Sequence, residues 1–284
     1  MVKVVTDSTA DIPPELIREL DIAVVPIYVV FGDKVYRDRV DISEEDFYRR
    51  LVSDSVFPTT SVPSPKDFAD VYSRLANDTD EIISIHLTSK ESGIYNSALL
   101  GKQLVEKKCH IEVVDSQSIS MSYGLLAMAA AREARAGASL SQVVESVRRS
   151  IQRIHILFLV DTLKYVVRGG RIGKAQGMLG TVLGVRPLLT MRDGDLSISG
   201  IARTRLKAVQ RLYDFAGGFP GLKEAAVSYT TNRDEAEALA KRIEAAFPQA
   251  PVYVTRVGPA LGTHAGPGAM GIVVSEGETP QGVR

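Results

Sequence analysis

The sequence predicts an α/β protein of two domains. The first is a parallel-sheet α/β domain over residues 1–153. The second is an α+β domain over residues 154–284, with a mostly antiparallel six-stranded sheet. Three observations carry this reading. The length of 284 residues is that of two ordinary domains. Strand and helix signals alternate along the first half, as they do where helices cover a parallel sheet. In the second half the strand-like stretches outnumber the helical ones, and Arg192-Asp193-Gly194-Asp195 is a hairpin signal that makes two of those strands antiparallel.

Each element has a local reason. Val2 to Thr6 reads as a strand closed by Asp7-Ser8-Thr9, and a helix is expected from Asp11, with Pro13 and Pro14 in a first turn where a missing N–H costs nothing. Ala23 to Phe31 reads as one buried strand. Ser43-Glu-Glu-Asp46 and Ser64-Pro-Lys-Asp67 are capping boxes that open helices. Ile82 to Leu87 and Ile111 to Val114 are strands, and helices are expected over about 92–108, 118–136 and 140–153. In the second half, strands are expected at 155–160, 186–191, 196–201, 225–229, 252–257 and 271–275. Helices are expected at about 174–183, 203–216 and 232–247.

Composition narrows the function classes. Lys+Arg and Asp+Glu both number 34, which gives none of the cationic excess a nucleic-acid binder needs. The single cysteine, Cys109, cannot close an internal disulfide and fits a reducing, cytoplasmic setting. The apolar start at Met1 stops at Asp7, too short for a signal peptide, and no apolar run approaches the roughly 20 residues of a membrane span.

Polar groups converge at the carboxyl ends of the parallel strands, where open α/β sheets bind ligands. Asp7-Ser8, Thr59-Thr60-Ser61, Thr88-Ser89, Ser92-Gly93 and Asp115-Ser116 form a rim of hydroxyls beside helix starts, a chemistry suited to a carboxylate. The plainer reading is that each hydroxyl caps a helix or a turn. Other motifs fail. Arg168-Gly-Gly-Arg-Ile-Gly-Lys-Ala175 has an arginine where a phosphate loop needs its first glycine and an alanine in place of the Ser/Thr; a tight basic turn before a helix suits it better. Gly266 to Gly271 matches G-x-G-x-x-G but precedes a strand-like run, not a helix. No zinc motif occurs, so no metal is expected. His86 and His155 lie within apolar strands as satisfied core residues and His110 looks superficial, whereas His264 sits in a glycine-rich loop able to approach a ligand. No general base stands beside an evident nucleophile, so no catalytic residue is expected.

Taken together, Val5 to Asp11, Thr60 to Ser64, Ser92 to Ala98, Val113 to Ser116, Val167 to Ile172, Arg203-Thr204 and Thr263 to Gly268 resemble the DegV family, in family order over nearly the whole chain. The resemblance implies a long-chain fatty acid such as palmitate held between the two domains, and no cofactor. It implies that the chain is the non-catalytic, lipid-binding subunit of a bacterial fatty acid kinase serving phospholipid metabolism. A separate ATP-binding subunit would phosphorylate the bound acid. On the same footing Thr60, Ser92, the Gly93 N–H and His264 hold the carboxylate, and Arg203 and Arg168 belong with the partner or the phosphorylation step. Val62, Glu91 and Ile94 depart from the family's usual residues. The tail is expected along Ala23 to Phe31 and beside Met178, Leu179, Val182 and Leu183. Two rivals remain: a phosphotransferase or hydrolase using Asp7 and Asp115, and a sensor in which lipid is only structural.

Overall fold

The structure, a computed structural model, describes residues 1–172 and 184–277. In chain order the first half runs β1 (Lys3–Asp7), α1 (Pro14–Leu20), β2 (Ile22–Val25), β3 (Tyr28–Phe31), β4 (Lys34–Arg37), α2 (Glu44–Ser53), β5 (Thr59–Ser61), α3 (Pro65–Leu75), β6 (Glu81–His86), α4 (Ile94–Gln103), β7 (His110–Asp115), α5 (Met121–Arg135) and α6 (Leu140–Ile151). Strands β2-β1-β6-β7 form a four-stranded sheet whose every pairing is parallel. That is why β1 and β6 are buried along nearly their whole length: both faces are covered.

Several local expectations shift. Asp11 does not open a helix. Its φ of 54° places it in the left-handed region after a short 3-10 turn, Ser8–Ala10, and α1 begins at Pro14. The stretch Ala23 to Phe31 is not one strand. It breaks around Pro26, which has no N–H to give a ladder, and β2 and β3 join different sheets. Strand β3 pairs antiparallel with β4 and β5 in a three-stranded sheet that the strand count had missed. The capping boxes fare better: the Ser43 and Ser64 hydroxyls accept from the Asp46 and Asp67 N–H groups at the starts of α2 and α3. Helix α5 starts at Met121, later than expected, because Ser120 holds φ 53°, ψ −144°.

The second half runs β8 (Ile154–Leu159), α7 (Lys164–Arg168), β9 (Arg186–Arg192), β10 (Asp195–Ala202), α8 (Arg205–Gly217), β11 (Leu222–Tyr229), α9 (Arg233–Ala246), β12 (Val252–Arg256), α10 (Pro259–Ala265) and β13 (Met270–Glu276). The sheet order is β10-β9-β8-β13-β11-β12; only β11 and β12 pair in parallel. The β9–β10 hairpin turns through Asp193 and Gly194, both at positive φ, as two-residue hairpins require. The loop expected around His264 is instead the short helix α10, with Pro259 in its first turn and Gly266 at φ 75° ending it. Arg168 and the two glycines after it close α7, so the basic turn follows a helix. The helix expected at 174–183, with Met178, Leu179, Val182 and Leu183, lies outside the described residues.

The six-stranded sheet has two different faces. Ala225, Val227, Ile272 and Val274 pack against α8 and α9. The alternate residues Ala226 and Val273, with Ile156, join the core of the first half. Among the described residues no helix is long and apolar enough to cross a membrane.

Candidate functional site

Between this second face and the first half lies a cavity of about 140 Å³. The sheet contributes Ile156, Phe158, Met191, Leu196, Met270, Gly271 and Val273. The first half contributes Ile27, Leu87, Ile94 and Ile119, and α10 adds Ala260, Leu261 and Ala265. The wall is therefore apolar over most of its extent. Six of its polar members, Thr60, Ser61, Glu91, Ser92, Arg171 and His264, gather where β5, the residues before α4, the turn after α7 and α10 meet, and Thr9, Ser120 and Ser228 add buried hydroxyls elsewhere on the wall.

Within this group Thr60 Oγ1 lies 3.0 Å from His264 Nε2, across 204 residues of sequence. The other ring nitrogen, Nδ1, is buried with no hydrogen-bond partner among the described residues. It lies against the backbone of Gly169, where even a Cβ would come within 2.0 Å of it, so that position requires glycine. Burial first, and then the Arg171 guanidinium, lower the His264 pKa to about 4, leaving a neutral imidazole at physiological pH. Arg171 donates from Nη1 to the Gly169 carbonyl at 2.6 Å and from Nε to the Glu91 carbonyl at 3.4 Å. The Glu91 carboxylate accepts from the Leu196 N–H at 3.1 Å, and burial raises its pKa. Ser92 is half-buried on the wall, and its Oγ takes only a long 3.4 Å bond from the Ile94 N–H. Gly93 caps α4 without a side chain of its own to bond the helix N–H groups; it is exposed beside Val62 rather than on the wall.

The structure thus brings Thr60, Ser92 and His264 to one cavity and sets Gly93 next to it. Arg168 is exposed and stacks its guanidinium 4.5 Å from the centre of the Phe57 ring. Arg203 is exposed just ahead of Thr204, the N-cap of α8. Neither is on the cavity wall. Sequence reasoning missed Arg171. It closes the same basic turn as Arg168, and nothing in the sequence ranks one arginine above the other.

Most of the hydroxyl rim does what the plainer reading expected. Ser8 donates to Asp38, Thr88 to the Gly194 carbonyl and Ser89 to Asp115. The two aspartates of the enzyme rival are occupied. Asp115 accepts from the Ser89 and Gln117 N–H groups and shapes a turn. Asp7 is fully buried and accepts from Thr9, Tyr123 (2.7 Å) and His86 Nδ1 (2.9 Å). Burial pushes its carboxyl up, but His86 and the two hydroxyls outweigh this and hold it below its ordinary value. Ser84 Oγ lies 2.6 Å from His86 Nε2, so Ser84, His86 and Asp7 stand in the order of a hydrolase triad. No substrate reaches them, because all three are sealed from solvent and the Tyr72 hydroxyl already donates to Ser84. His86 is the satisfied core residue expected. His155 is not: it is partly exposed, pairs with Glu276 at 2.8 Å and stacks on Phe219. His110 is superficial.

A second buried network fixes α10. The Asp11 carboxylate accepts from Ser120 Oγ (2.6 Å), Arg39 (3.1 Å) and the N–H of Gly258, the α10 N-cap (2.8 Å). Arg39 also donates to the Arg256 carbonyl at 2.7 Å, and Tyr48 to that of Val257 at 2.9 Å. Burial, opposed by Arg39, raises the Asp11 pKa to about 6 and that of its neighbour Asp38 to about 7. Among the described residues no cluster of acidic, His or Cys side chains could hold a metal.

The same architecture recurs in known proteins. A DegV domain-containing protein of Caldanaerobacter subterraneus subsp. tengcongensis is 37 % identical over 280 residues, covering 97 % of this chain and 99 % of that one. A solved DegV family protein from Thermus thermophilus, described as fatty acid binding, has a TM-score of 0.90 at 34 % identity, over 97 % of this chain and 99 % of its own. A stearic acid-binding protein from Eubacterium ventriosum has a TM-score of 0.89 at 30 % identity, over 97 % and 98 %. Fold and cavity define a class of protein: two packed α/β layers, one parallel and one mixed, enclosing apolar space beneath a small hydroxyl–histidine group. The family model described as "Uncharacterised protein, DegV family" matches residues 1–277, and the chain belongs to that family.

Proposed function

We propose that the chain binds a long-chain fatty acid between two domains that divide near residue 153, and presents it to a separate ATP-binding kinase subunit that converts it to an acyl phosphate. The observation that carries the first step is the contrast within one cavity, mostly apolar along the sheet and most polar around Thr60, Ser92 and His264. An acyl chain gains about 0.8 kcal/mol per buried CH₂, which an apolar wall supplies. Its carboxylate, once out of water, needs charge-assisted hydrogen bonds. The Thr60 and Ser92 hydroxyls donate them, with the N–H groups at the start of α4 around Gly93 beside them. His264 stays neutral and holds Thr60 in place through Nε2. The Arg171 guanidinium supplies positive charge close by. Relatives described as binding fatty acids, stearic acid among them, support the ligand class.

In this reading the chain is a carrier without catalytic groups of its own, and the exposed Arg203 and Arg168 meet the kinase subunit. The test is native mass spectrometry of protein purified without added lipid. The expected result is a co-purifying mass of a long-chain acid that leaves on delipidation and returns when palmitate is added. Protein that carries no lipid and takes up no palmitate refutes the reading.

A further inference from the structure

Three buried hydroxyls lie on the wall of the cavity: Thr9, Ser120 and Ser228. Two are occupied. Thr9 bonds Asp7 and Tyr123, and Ser120 donates to Asp11. Ser228, in β11, is only 5 % exposed, and its Oγ has no hydrogen-bond partner among the described residues.

Its surroundings keep it so. Ser228 pairs with Gly271 of β13 on one side and Thr255 of β12 on the other. Gly271 has no side chain to offer, and a Cβ there would press within 3.1 Å of Phe158. Thr255 gives its hydroxyl to the Asp11 carbonyl. The sheet neighbours on this face are apolar: Ala226 two residues before Ser228, and Val273 two residues after Gly271. An isolated hydroxyl on such a surface is unfavourable unless something in the cavity bonds to it. A saturated hydrocarbon chain cannot.

We propose that the cavity is built for an acyl chain that carries a hydroxyl group along its length, hydrogen-bonded by Ser228 Oγ. This rests on the fatty-acid reading above and narrows its substrate class to hydroxylated long-chain acids. Ser228 both donates and accepts, so it pairs with an alcohol in either sense. Because the serine is fixed on a strand, only a hydroxyl at one depth along the chain reaches it.

The test is the dissociation constants of stearic acid and of the positional series of monohydroxystearic acids, for the wild-type chain and for Ser228→Ala. One isomer should bind the wild type about tenfold more tightly than the other isomers, the worth of one regained hydrogen bond of a buried hydroxyl. Ser228→Ala should level the series. If stearic acid binds and every hydroxy isomer binds the wild type more weakly and to a similar degree, this proposal fails while the fatty-acid reading stands; Ser228 is then met by water. If stearic acid and all isomers fail to bind, the underlying reading fails. The wild-type series decides the matter even if the variant folds poorly.

Discussion

Two histidines, one buried and one half-buried, each beside a hydroxyl, sit in opposite circumstances. His86 lies between Asp7 and Ser84, both ring nitrogens are engaged, and Tyr72, Thr9 and Tyr123 complete a buried network. His264 has one partner, Thr60, and a second nitrogen left over. The more enzyme-like arrangement is the one that holds the core together. The less complete one faces the cavity. Residue type and mutual geometry did not separate the two; access to the cavity did.

The largest effect that would break this contrast is on stability. Asp7→Ala strands His86, Thr9 and Tyr123 without their acceptor and should cost about 3–5 kcal/mol in urea unfolding. His264→Ala, which removes an unpartnered nitrogen, should cost less than about 1 kcal/mol. Equal losses would make both sites structural. Next comes binding. Thr60→Ala combined with Ser92→Ala should weaken fatty-acid affinity by roughly 2–4 kcal/mol, at about 1–2 for each hydrogen bond to a charged group, with little change in unfolding. Unchanged affinity, measured by calorimetry, would take both hydroxyls out of the site.

The smallest effect sharpens the contrast through pH. Asp38, buried with Oδ1 unpartnered, has its pKa raised from 3.8 to about 7, chiefly by burial. The folded state therefore holds a proton that the unfolded chain has released. The stability this contributes is present below the ordinary carboxyl range and is lost as pH rises through about 7. His264, lowered from 6.5 to about 4, works the other way: its contribution is present above 6.5 and is lost as pH falls through about 4. Asp38→Asn should remove the first slope and leave the second, a relative gain of roughly 2 kcal/mol near pH 8 over pH 5 in denaturation curves. A variant with the wild-type profile would show that Asp38 is ionised in the native state.

Signals confined to a few neighbouring residues were legible in the sequence. The capping serines 43 and 64, the Asp193-Gly194 turn and the buried β-runs need only local pattern, and they match the strands of the four- and six-stranded sheets but not the third sheet. The break around Pro26 was visible as a proline but not as a change of sheet, since nothing local reveals which partner a strand takes. Thr60 lies in a strand of three residues, too short for periodicity to mark; the hydroxyl rim included it, but only the resemblance singled it out from Thr59 and Ser61. Ser84, His86 and Asp7 meet because β1 and β6 are adjacent, although 79 residues separate Asp7 from His86. Ser228 reads as an ordinary polar residue in a strand until the register sets it beside Gly271.

The bond from the Gly258 N–H to Asp11 has a consequence for how this chain can change over generations. The histidine of the cavity rides on a helix whose N-cap residue is anchored by an aspartate almost 250 positions earlier, and that aspartate also steadies Ser120 on the cavity wall. Neither half owns the pocket. A substitution accepted in one half must be tolerated by groups encoded in the other, so exchanging one half alone between relatives would disturb the walls of the shared cavity.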